Sequence, residues 1–149
     1  MKSISHTETF QLDQPIDRVF PLFSPEGEKH WVPGWDYDNL MGTIELSEDY
    51  VFLTRSHDHA STAAIWLVKR YDPTGHRVQF YKIEPDDKIG IITVQCQAPR
   101  PDSTAVQVSY DYRALSPTGE AFIDSFDQAA YRQFIGEWQS LLNAYFARQ

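Results

Sequence analysis

One cysteine in 149 residues, Cys96, excludes an internal disulfide. The 7 glycines are scattered, so no glycine-rich loop is available to cradle a phosphate. Positive charge is also short: 13 basic residues against 21 acidic ones give a net charge of −8, and no basic run offsets it. A nucleic-acid backbone or an anionic membrane surface would be repelled on average, so neither is expected as a partner. No apolar run approaches the roughly 20 residues of a membrane span, and no charged-then-apolar leader opens the chain. Membrane insertion is therefore not expected, and a cytoplasmic address is. No nucleophile–base pair and no three-ligand zinc pattern can be picked out, so the sequence assigns no catalytic residue, no metal and no cofactor. Repeats, low-complexity tracts and linkers are missing too, which makes residues 1–149 one domain, long enough to bury a sizeable core.

Aromatic residues are plentiful: 9 Phe, 8 Tyr and 4 Trp supply wide, flat, partly polar walls. Near the C-terminus Phe126, Ala130, Phe134, Trp138, Leu142 and Tyr145 recur every four or three residues, so they form one broad stripe on a long helix whose regular part is capped by Asp127, with Ala121 to Phe126 as a separate first turn or two. Such a stripe needs a large apolar surface, and the preceding chain offers a sheet. Strand-like runs are expected at 3–13, 40–46, 50–55, 63–71, 77–84, 88–98 and 104–115, joined by short turns that make neighbours antiparallel. Residues 15–23 read as a helix kept short by Pro21, Ser24-Pro25-Glu26 as the start of a second short one capped by Ser24, and Trp31 to Trp35 as a loop.

Turn lengths then predict which side chains share a face. Pairing Tyr71 with His76, Glu84 with Ile89 and Ala98 with Thr104 sets Trp66, Tyr81, Ile92 and Tyr110 in one row across four strands. Val68, Ile83, Val94, Cys96, Val106, Val108 and Tyr112 follow by alternation, which makes Cys96 a small buried hydrophobe. Arg70, Arg77 and Gln79 take the same parity near the turn at Asp72-Pro73, where they would clamp a polar headgroup or simply reach water.

The order of strand, two short helices, six antiparallel strands and a long final helix resembles the helix-grip fold of the START-like, or SRPBCC, superfamily. That group takes in the Bet v 1 plant allergens, START lipid-transfer domains and bacterial polyketide cyclase/dehydrase-like proteins. Three stretches carry the local similarity: Pro15-Ile16-Asp17-Arg18-Val19-Phe20-Pro21-Leu22-Phe23, the segment from Ser24 to Asp36, and Ile65-Trp66 followed by Tyr71-Asp72. The resemblance implies an α+β fold in which a seven-stranded curved antiparallel sheet and the long helix enclose a hydrophobic cavity for lipids, sterols, polyketides or other apolar molecules.

The candidate cavity lining is Trp35, Trp66, Tyr81, Ile92, Val108, Tyr110, Tyr112, Tyr131, Phe134 and Trp138. The partner expected there is a small hydrophobic or amphipathic ligand of the lipid, quinone or polyketide class. An alternative is a cyclase- or dehydratase-type enzyme that shapes an apolar substrate in the same space; it requires an ionisable side chain pointing inward. A second alternative is a co-chaperone-like interaction module, which requires a filled interior and an exposed apolar patch. His57-Asp58-His59 has a metal-like alternation but reads as a loop, and His30 reads as a helix-end histidine or a group at the cavity mouth. The oligomeric state is left open.

Overall fold

The computed structural model describes residues 1–55 and 63–149. A seven-stranded antiparallel sheet runs in the order β1-β7-β6-β5-β4-β3-β2. Its strands are β1 (Ser3–Leu12), β2 (Asp38–Asn39), β3 (Val51–Thr54), β4 (Ala64–Asp72), β5 (Arg77–Glu84), β6 (Lys88–Arg100) and β7 (Ser103–Ala114). Helix α1 (Ile16–Val19), a 3₁₀ turn (Phe20–Leu22) and α2 (Pro25–Glu28) follow β1, while α3 (Pro117–Ser125) and α4 (Gln128–Ala147) close the chain. No helix among the described residues is long and apolar enough to cross a membrane.

Local chemistry accounts for these boundaries. Ser24 and Ser116 cap α2 and α3 by accepting from the backbone N–H of Gly27 and Gly119, each with a proline in the first helical turn. Asp127 does the same for α4 through the N–H of Ala130. Phe126 lies in the break between α3 and α4 rather than on the long helix. On α4 the buried line is Tyr131, Ile135 and Leu142, with Trp138 between them; this 4-3-4 spacing stays on one face, whereas the four-residue series through Ala130 and Phe134 drifts off it.

The expected strand over 40–46 does not form. Pairing of β2 with β3 ends at Asn39, opposite Phe52. The Asn39 side chain then accepts from the Gly42 N–H at 3.1 Å, and Gly42 sits at φ 73, a turn that side-chain-bearing residues resist. Leu40, Met41 and Ile44 are left exposed.

Tyr71 pairs with Val78 rather than His76, a two-residue shift that keeps the facing, and two one-residue departures then reset β5. A β-bulge between Val68 and Arg70 puts Trp66 opposite Lys82, and Leu67 opposite Tyr81. The next turn has three residues rather than four, with Asp86 in the left-handed region (φ 63), so Glu84 pairs with Lys88. The two shifts cancel, and Ile92 still faces Tyr110. Only β5 is inverted: Val78, Phe80, Lys82 and Glu84 point to the inner face, and Tyr81 and Ile83 point outward. Arg70 and Gln79 also lie outward, with Gln79 donating to Thr93 at 2.9 Å, and Arg77 is exposed.

The inner face packs under α4. Tyr110 meets Tyr131, Phe134 and Trp138 edge-on at 5.8, 5.5 and 6.2 Å between centroids. Gly90 leaves room on this face, since a Cβ there would stand 2.8 Å from the Tyr112 ring. Cys96 is buried, and burial pushes its thiol pKa up to about 12, which leaves it protonated and inert.

Candidate functional site

Helix α2 is seated unusually close to the 3₁₀ turn before it. A Cβ on Gly27 would stand 2.2 Å from the Pro21 carbonyl oxygen, so only glycine permits this approach. The next residue, Glu28, is thereby carried under the sheet. There it borders a small cavity between sheet and α4, with Phe23, Phe52, Trp66, Phe80, Ile92, Val94, Tyr110 and Trp138 as the other walls. The cavity is about 20 Å³, the size that one water molecule fills. Aromatic rings occupy the rest of the interior: Trp66 stacks on Phe52 at 5.4 Å, and Trp138 stacks on Phe23 at 6.0 Å and meets Trp31 edge-on at 5.4 Å.

Two polar groups of this wall lack a hydrogen-bond partner among the described residues: the Glu28 carboxyl and the Tyr110 hydroxyl. Glu28 is half-buried and borders the cavity. Burial drives its pKa up to about 8, against a weaker downward pull from Lys82, so the carboxyl is largely neutral at pH 7. Tyr110 is raised well above the usual tyrosine value by burial, and further by Tyr112 and Glu28. Both groups are thus hydrogen-bond donors aimed at the same space.

Beside the cavity the inverted β5 contributes Lys82, whose Nζ lies 5.4 Å from the centroid of the Trp66 ring. Its closest carboxylate oxygen among the described residues belongs to Glu84, at 4.0 Å. Burial holds the Lys82 pKa below the ordinary lysine value, opposed mainly by Glu84. Lys88 is differently placed, with its Nζ 3.0 Å from Glu84, 3.5 Å from Asp87 and 4.1 Å from the Phe122 ring centroid. Replacing Lys88 with Met takes that ammonium from two enclosed carboxylates and is expected to cost about 3–5 kcal/mol in urea unfolding. A cost below about 1 kcal/mol would show that water already screens the cluster.

Of the residues the sequence nominated, Trp66, Ile92, Tyr110 and Trp138 stand in the cavity wall. Phe134 lies one layer out, edge-on to Trp138 at 5.8 Å. Trp35 backs Trp66 at 6.1 Å and donates its indole N–H to the Pro25 carbonyl at 2.8 Å. Val108 and Tyr131 are fully buried and tied together, the Tyr131 hydroxyl donating to the Val108 carbonyl. Tyr112 packs edge-on against Phe122 at 5.2 Å, beside Lys88. Tyr81 is the correction: it lies on the outer face under the Lys69 ammonium, 5.4 Å away, because the bulge in β4 inverts its strand. Trp31 donates to the Leu22 carbonyl at 2.8 Å, so both loop tryptophans act as anchors. His30 is exposed beside Tyr145, and His57-Asp58-His59 lies outside the described residues. Sequence reasoning missed Glu28 and Lys82. Glu28 carries no periodic signal in a four-residue helix, and Lys82 follows only from the bulge.

This architecture is the Bet v 1-like helix-grip fold. The chain is similar to norcoclaurine synthase from Thalictrum flavum, solved with dopamine and hydroxybenzaldehyde, with a TM-score of 0.65 and 10% identity over 99% of this chain and 88% of that one. It is similar to major latex-like protein 151 from Panax ginseng, with a TM-score of 0.72 and 17% identity over 96% and 97% of the two chains. A protein from Rhizobium leguminosarum gives 0.66 and 16% over 99% and 98%. No protein-family model and no curated protein matches the sequence.

Proposed function

We propose that this protein binds a small amphipathic molecule, a ring system bearing one hydrogen-bond acceptor, between the sheet and α4. One observation carries the reading: a largely neutral carboxyl and a phenol hydroxyl border an aromatic cavity, with no hydrogen-bond partner for either among the described residues. A buried donor without an acceptor costs about 1–3 kcal/mol, so an acceptor brought by a ligand relieves a standing penalty. A 20 Å³ space does not admit a ring. Binding therefore requires the aromatic side chains to move apart, with Trp66 and Trp138 the largest in the wall. The norcoclaurine synthase ligands are small aromatics of this kind; at 10% identity they support the reading only through the shared fold. Cytoplasmic residence belongs to the same reading.

Small ring compounds with an acceptor, such as quinones and aromatic ketones, should quench tryptophan emission and raise the melting temperature. Glu28→Leu should weaken both effects. If no such compound does either, and none is retained in native mass spectrometry, the reading fails.

A second reading, a protein-interaction module, draws on the outer face. There Leu53, Ile65, Leu67, Tyr81 and Ile83 are neighbours across three strands, and Ile65 is 40% exposed. A change in sedimentation on Ile65→Lys would favour it, and unchanged monodisperse behaviour would count against it.

A further inference from the structure

The sheet face turned away from α4 carries two apolar rows. The rings of α3 and α4 pack on the other side, against Tyr112 and Tyr110. On the outer face one row of cross-strand neighbours, from β7 to β3, reads Arg113, Ile89, Ile83, Ile65 and Leu53. The row beside it reads Asp111, Ile91, Tyr81, Leu67 and Val51. Eight apolar side chains thus stand together across four strands, and none of them is fully buried. The reset of β5 completes the block, because it turns Tyr81 and Ile83 outward. A contiguous apolar block of this kind marks an interaction surface.

We infer that this face joins two copies of the chain in a symmetric dimer, with the twofold axis parallel to the rows and midway between them. This inference rests on the interaction reading of the outer face and not on the cavity. Charge selects the partner. Such an axis lays the first row of one copy on the second row of the other, each strand over its own counterpart. Ile89 then meets the partner's Ile91, and Ile65 meets the partner's Leu67. At the end of the block Arg113 meets the partner's Asp111, and the contact is repeated in reverse. Asp111 and Arg113 are the only charged residues in the two rows, and neither makes an ion pair or side-chain hydrogen bond among the described residues. A partner surface of one sign would set like charges against Asp111 or against Arg113, whereas a second copy satisfies both. Lys69 and Arg70 are exposed on the rim, where water screens them, and Arg55 is held by Asp38 at 2.8 Å.

The area suits a dimer of modest strength. Strand spacing and the two-residue repeat give each outward side chain about 33 Å² of sheet plane, so the apolar block covers about 260 Å². A stable interface needs about 800 Å² and about 20–30 residues from each partner, so the flanking rows must take part. They are fit to do so. Beyond the first row an apolar groove of about 210 Å³ between Leu53, Ala63, Ile65 and Pro85 extends the surface. Beyond the second row lie Gln79 and Thr93, which are uncharged and already bonded to each other. Four rows over five strands supply about 20 residues and about 650 Å² of sheet plane, and upright side chains raise the accessible area above that.

Sedimentation velocity of the full chain tests this. The wild type should be largely dimeric at about 100 μM, as an interface near the lower end of the stable range requires. Asp111→Arg and Arg113→Asp should each weaken the dimer at least about tenfold, because each sets like charges together at both ends of the axis. Mixed in equal amounts, the two variants should associate with each other as well as the wild type does, since each copy then meets its opposite. A merely structural defect in either variant would not be repaired by mixing, so a mixture that stays monomeric overturns the inference. Ile65→Lys, at an exposed position in the first row, should leave a monomer. If Ile65→Lys dissociates the protein while both charge reversals leave it dimeric, the outer face is an interface in some other arrangement. The interaction reading then stands and this inference falls. A dimer that survives Ile65→Lys, or a wild type that is monomeric at about 100 μM, overturns both.

Discussion

Glu28→Gln is expected to flatten the pH dependence of stability and to make the protein several kcal/mol more stable than the wild type at about pH 8.5. The sign follows from the direction of the shift. In the unfolded chain a glutamate titrates near 4.5, and in the folded protein Glu28 titrates at about 8. Below about pH 4.5 both states hold the proton and no penalty exists. Between the two values the unfolded chain releases a proton that the folded state retains, so stability falls by about 1.4 kcal/mol for each pH unit. Above about pH 8 the folded carboxylate ionises as well and the penalty levels off.

Glutamine has the shape of the neutral acid and never ionises, so the variant escapes this loss and should match the wild type within about 1 kcal/mol near pH 5. Lys82 on β5 acts in the opposite sense. Its pKa is lowered in the fold, so stability rises as pH climbs from the folded value toward 10.5, a gain that the wild type and the variant share. Tyr110 on β7 is raised and stays neutral throughout that window. Denaturant unfolding of both proteins between about pH 5 and 9 checks this. Parallel curves would mean that water reaches Glu28 freely and that the enclosed carboxyl is not a feature of the molecule in solution.

The same residue shows where sequence reasoning stops. Element order, the caps at Ser24 and Asp127, and the inner faces of β6 and β7 could be read from periodicity, because on those strands one parity is plainly apolar and the other wet. On β5 the pattern is symmetric: Val78 and Phe80 share a parity with Lys82 and Glu84, while Tyr81 and Ile83 share theirs with Arg77 and Gln79. Hydrophobicity does not choose between the two, so the choice falls to the turns. A bulge at Lys69 and a left-handed Asp86 then decide it. The inner face accordingly receives two charged residues that alternation alone would place in water. The aromatic wall was legible because Trp66, Tyr110 and Trp138 repeat with their elements. The chemistry beside it was not, because it depends on one extra residue in one strand and on a glycine contact that seats α2.

That wall yields the second large effect. Trp138→Ala removes a ring that stacks on Phe23 at 6.0 Å and meets Trp31, Phe134 and Tyr110 at 5.4, 5.8 and 6.2 Å. The expected cost is about 3–5 kcal/mol, from lost transfer energy and from a void that joins the existing 20 Å³ space. Indole should then bind the variant and restore part of the loss, about 2.7 kcal/mol when its concentration is 100 times its dissociation constant. Leu142→Ala is the control. Leu142 is fully buried on the same face of α4 but does not border the cavity, so its removal should destabilise without creating a site for indole. Rescue of the first variant and not the second would show that the interior is ring-shaped and filled by the protein's own tryptophan. A natural guest would then bind by displacing that ring, and its affinity would be set by how cheaply α4 lets Trp138 go. Equal indifference of both variants to indole would mean that the sheet and α4 collapse onto the gap, and that the aromatic interior is packing rather than a binding site.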